Sequence, residues 1–221
     1  MSILVVPENH NKMKISFFFC KQLLCMIALL FVNKLAIAQY QAGSHQMLSP
    51  HQNIFLIMMD TMMLKMDQAS IPGSAKAGFS LQMIAHHEGA IEMANYEIQH
   101  GKEFTMIQLA KSILAEQSGE VQLMRIRLNQ ALPDTGKIIK GFQKDMSQTM
   151  RVMMRDMPVN ALLNDIDSAF ARVMIPHHQA AINMAKAAIK FIPDQQTTAF
   201  AKHIISSEQI EIEQMSSFLK K

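Results

Sequence analysis

A shift of 91 residues lays the chain on itself. Residues 55–124 align with 146–215 without a gap, and 19 of the 70 pairs are identical, against roughly four or five expected at ordinary residue frequencies. The identities fall in three clusters. Met59, Met62, Met63 and Met66 match Met150, Met153, Met154 and Met157. MIAHHEGAIEMA (Met83–Ala94) matches MIPHHQAAINMA (Met174–Ala185), with Phe79 matching Phe170 upstream. Ala110, Lys111, Ile113, Glu120 and Met124 match Ala201, Lys202, Ile204, Glu211 and Met215. The chain is therefore a duplication, and its fold has to be two copies of one unit.

Every cluster has helical spacing. The first methionines run i, i+3, i+4, i+7, one face of a helix. The third cluster carries an apolar stripe through Ile107, Ala110, Ile113, Leu114, Gln117, Val121 and Met124, with charges opposite. Breakers separate the clusters at SIPGSAKAG, QHGKE, LPDTGK and IPDQQ, and no stretch alternates with the period of a strand. The pattern predicts an all-α protein: a four-helix bundle of two repeated helical hairpins, each preceded by a shorter Met-rich helix. The repeats span 55–131 and 137–221, the bundle 53–221.

The first 38 residues read differently. Lys12, Lys14 and Lys21 precede the apolar run Leu23–Val32, which ends in LAIA before Gln39. This describes a secretory signal peptide with translation starting at Met13 and cleavage after Ala38; the run is far short of the roughly 20 residues that span a bilayer. Residues 39–52 form a flexible lead-in. Cleavage removes four of the 21 basic residues and one of the 18 acidic ones, leaving 17 of each. No basic tract then points to nucleic acid, and none of the mature protein is expected in a membrane. Both cysteines, Cys20 and Cys25, leave with the signal, so neither a disulfide nor a thiolate site is available. Eighteen of the 21 methionines stay.

With Met83 at zero on a helix turning about 100° per residue, His86, His87, Ala90 and Met93 fall within roughly 120° of arc. Met174, His177, His178, Ala181 and Met184 repeat the arrangement. Adjacent histidines diverge by about 100°, so each pair sends one ring inward and the other toward a groove or neighbouring helix. Imidazole suits copper, zinc and nickel, and thioethers select Cu(I). The set His177, His178, Met174 and Met184 is the stronger candidate metal site, with His86, His87, Met83 and Met93 the weaker. Met59, Met62, Met63, Met150, Met153 and Met154 are further candidate sulfur ligands, although methionine at helical spacing is more often core filling. His45 and His51 lie in the lead-in, while His100 and His203 lack counterparts in the other repeat.

Rival metal chemistries fail on spacing. A di-iron bundle needs two Glu-x-x-His pairs, and only Glu97 and His100 are so spaced, opposite Ala188 and Phe191 in the other repeat. A zinc-protease helix needs His-Glu-x-x-His, and Ile91 stands where the second histidine belongs. No carboxylate cluster supporting an oxidase is evident, so the reading is not an enzyme.

MIPHHQAAINMA, the upstream DIDSAF and the following AKHIISSEQIEIEQMSSFL resemble the domain of unknown function 305 family of bacterial exported proteins over Phe55 to Leu219. The resemblance implies a ferritin-like bundle that binds copper in the periplasm through Met and His and contributes to copper tolerance. Ser74, Lys76 and Ala85 depart from the pattern in the first copy. The expectation is a periplasmic or secreted protein, a monomer or small homo-oligomer, that sequesters or hands over Cu(I), and Cu(II) as well, with Ag(I) competing. A periplasmic copper transporter or oxidase is the expected partner, and handing over requires ligands near the surface. The alternative is a structural or partner-binding bundle without a physiological metal.

Overall fold

The computed structural model describes residues 52–69, 73–128 and 136–220. The expected signal peptide, its expected cleavage point, and His45 and His51 lie outside them. The described residues form six α-helices and a 3-10 turn (Asn160–Leu162), with no strand. They are α1 (Ile54–Gln68), α2 (Ala75–His100), α3 (Phe104–Leu128), α4 (Gly136–Arg155), α5 (Ile166–Phe191) and α6 (Gln195–Phe218). The protein is all-α, as its periodicity predicts. None of these helices is long and apolar enough to cross a membrane.

Local chemistry sets the ends. Side chains of Asn53, Ser74, Asp165 and Asp194 cap α1, α2, α5 and α6, accepting from the backbone N–H of Phe55, Ala77, Ser168 and Thr197. The Ser74 cap starts α2 inside the expected breaker SIPGSAKAG, whose last four residues form its first turn. At the far end of α2 a Cβ on Gly101 would lie 2.6 Å from the carbonyl oxygen of Glu97, so only glycine fits there. α5 ends where Ile192 turns extended before Pro193.

Connections of three residues, 101–103 and 192–194, fold α2 back along α3 and α5 back along α6. α2 and α5 pack on each other, α1 lies on α2, and α4 lies on α5. Gly89 lets α1 come close, since a Cβ there would meet Met62 Cγ at 2.8 Å. Phe55, Phe79, Phe142 and Phe170 are fully buried with Met59, Met62, Met83, Met93, Met146 and Met153. Each such side chain contributes about 1.5–3 kcal/mol of burial free energy. With tryptophan absent and aromatics few, methionine fills the core.

Candidate metal centre

The α2–α5 contact is where the two histidine pairs meet. The rings of His86 and His177 lie 3.7 Å apart between centroids, inclined by 46°. His87 and His178 follow at 6.2 and 6.0 Å from their sequence neighbours. All four are completely buried. The two sites expected as stronger and weaker are thus one four-histidine layer, each repeat supplying half. The reason is the packing of α2 directly on α5, which a linear sequence does not display.

Both nitrogens of His86 and both of His177 lack a hydrogen-bond partner. Burial, reinforced by neighbouring histidines, holds both groups well below the usual imidazole range, so at neutral pH they are uncharged with free lone pairs. Buried polar atoms are nearly always paired, and leaving one unpaired costs about 1–3 kcal/mol. The centre of the bundle thus holds four buried ring nitrogens that no protein group satisfies.

The outer rings divide as the helical angle predicts. Nε2 of His178 lies 2.8 Å from Oε2 of Glu211 in α6, within a hydrogen bond. Nε2 of His87 lies equally 2.8 Å from Oε2 of Glu120 in α3, off the line of a hydrogen bond. A carboxylate on the far nitrogen fixes a ligating ring's orientation and raises its basicity. Nδ1 of both rings remains unpartnered. Between these pairs Nε2 of Gln117 donates to Oε1 of Glu208 at 3.1 Å. Burial, then the charges of Glu211, Glu120 and Glu116, push the Glu208 carboxyl well above its usual range, which favours its protonated form opposite Gln117.

This corrects one expectation: a carboxylate cluster does exist, made by Glu116, Glu120, Glu208 and Glu211. The signal was present in the matched pair Glu120 and Glu211. Each stands 33 residues after its histidine, a spacing no short motif records.

Met83, Met93, Met174 and Met184 are wholly buried on the histidine helices. The other candidate sulfurs separate. Met59, Met62 and Met153 are core residues. Met63, Met150 and Met154 line, with Met66 and Met146, a cavity of about 380 Å³ where α1 and α4 face each other. The candidate ligands on α2 and α5 are therefore not near the surface as hand-over would require; of the candidate methionines only Met154 is exposed.

The acidic lead-in proves structural. Asp167 accepts from the N–H of Lys102 (3.0 Å) and Glu103 (2.8 Å), bracing the α2–α3 turn. Lys76, its counterpart in the first repeat, pairs with Asp194 at 3.3 Å, at the matching α5–α6 turn. The departures at Ser74 and Lys76 thus serve caps and turns.

The Domain of unknown function (DUF305) family matches the chain twice, over residues 33–128 and 127–219. The chain belongs to the DUF305 family. Among solved structures it is similar to CopM in its Cu(I)-bound form, 26% identical, with a TM-score of 0.50 over 66% of this chain and 95% of that one. CopM in its Ag-bound form gives 25% identity and 0.50, over 66% and 94%. A DUF305 protein from Streptomyces coelicolor gives 21% and 0.53, over 68% and 93%, and shares the fold. No curated protein matches.

Proposed function

We propose that this protein is an exported, non-catalytic copper-binding bundle that sequesters Cu(I) in the layer between α2 and α5 and contributes to copper tolerance. The carrying observation is the set of unpartnered, uncharged ring nitrogens on His86 and His177. With Nε2 of His87 and His178 against carboxylates, Nδ1 is the nitrogen they offer. Met83, Met93, Met174 and Met184 supply the thioethers that favour Cu(I) over harder ions. The binding of Cu(I) and Ag by CopM supports the same metal class here. Cu(II) is a secondary cargo.

Complete burial of the layer favours holding over rapid release, and the methionine-lined cavity at α1 and α4 is the natural stopping place for Cu(I) moving to or from a transporter or oxidase. A competition titration with a Cu(I) chelator tests the reading. The native protein is expected to take Cu(I) from the chelator and Ag(I) to displace it. Affinity unchanged in a His86→Leu, His177→Leu variant would sink the proposal.

A further inference from the structure

Outside the buried layer, Glu116 and Glu120 on α3 and His203 on α6 converge. Nε2 of His203 lies 3.3 Å from Oε1 of Glu116 and 3.8 Å from Oε1 of Glu120, and one ligand atom from each residue falls within 4.8 Å of the others. Donors bonded to one zinc-sized ion at about 2.0–2.2 Å stand roughly 3–3.5 Å apart, so little movement would close the set. Two carboxylates one helical turn apart repel each other unless a cation lies between them. Glu120 is only 7% exposed, and the oxygen it aims at His203 has no hydrogen-bond partner.

The duplication supplies an internal comparison. The positions matching Glu116 and His203 are Ser207 and Ser112, and only Glu120 keeps its type, as Glu211. Ser207 turns its hydroxyl back to the carbonyl oxygen of His203 in its own helix at 3.2 Å. One mouth of the α3–α6 seam therefore carries a complete donor set, and the other does not.

We infer that Glu116, Glu120 and His203 form a second metal site, at the rim of the bundle, that takes a borderline divalent cation such as Zn(II) or Cu(II). One imidazole and two carboxylates suit such ions and offer nothing soft to Cu(I). Three protein donors leave a coordination position open to water, and the half-exposed His203 makes the site accessible. Glu120 is shared: its other oxygen touches His87, so a rim ion sits one carboxylate from the buried layer.

The test uses Zn(II) alone, on the native protein and on Glu116→Ser, His203→Ser, which gives this mouth the serines of its counterpart. Calorimetric stoichiometry is expected to fall by one equivalent in the variant, with thermal unfolding unchanged. Zn(II) is also expected to protect His203 of the native protein from diethyl pyrocarbonate, read by peptide mass. Equal stoichiometry in the two proteins, or His203 modified equally fast with and without Zn(II), overturns the site.

Discussion

His86 and His177 hold four ring nitrogens in the core without a partner. Replacing both by leucine, similar in volume and free of polar atoms, is therefore expected to stabilise the metal-free protein by about 2 kcal/mol while abolishing tight Cu(I) binding. Urea unfolding measures the first effect. A loss of stability instead would favour the purely structural bundle. Glu97 is the other costly residue. Burial, then the neighbouring Asp167 carboxylate, raises it from 4.5 to about 8, so the folded protein keeps a proton that the unfolded chain releases. Its contribution is full below about pH 4.5 and lost as pH rises to about 8. Glu97→Gln should accordingly gain stability over the native protein across that window and no further above it. A stability difference independent of pH would contradict this. Asp167 itself, although burial opposes it, is held below the usual carboxylate range by the N–H of Glu103, by Glu97 and by the N–H of Lys102.

At the scale of elements, the two repeats brace the same turn with different chemistry. Asp167 is almost fully buried and accepts from two backbone N–H groups, whereas the Lys76–Asp194 pair is partly exposed. Asp167→Ala should cost about 2–4 kcal/mol, because it strips a buried turn of charge-assisted bonds. Lys76→Met should cost at most about 1 kcal/mol. Thermal unfolding separates them, and Cu(I) affinity should survive both; a selective loss of copper in Lys76→Met would show that the lead-in serves the metal after all. These helices were legible because period and breakers are local properties: the Met59–Met66 spacing, the histidine stripe and Gly101 all speak within one or two turns. The joining of His86 to His177 was not, since nothing in either copy says that its partner is the other copy. Glu120 and Glu211 were visible as a matched pair, but their contact with histidine needs the hairpin to close. His203 lacks a counterpart in the other repeat, and that lack is what distinguishes the rim it occupies.

Across the molecule, duplication has produced a bundle whose centre belongs to neither half. Each repeat supplies two histidines to the layer between α2 and α5, so a single copy would expose half of that layer along an apolar face. The polar residues are layered: buried histidines between α2 and α5, then carboxylates bridging to α3 and α6, then His203 and Glu116 at the rim. The methionine-lined cavity lies apart, between α1 and α4. The most direct measurement is X-ray absorption at the copper edge on the mature protein loaded anaerobically with one equivalent of Cu(I). The four-histidine layer predicts a mixed shell of imidazole nitrogen and thioether sulfur, whose nitrogen component falls in His86→Leu, His177→Leu. A shell of sulfur alone in the native protein, or the same nitrogen component in both proteins, would contradict it.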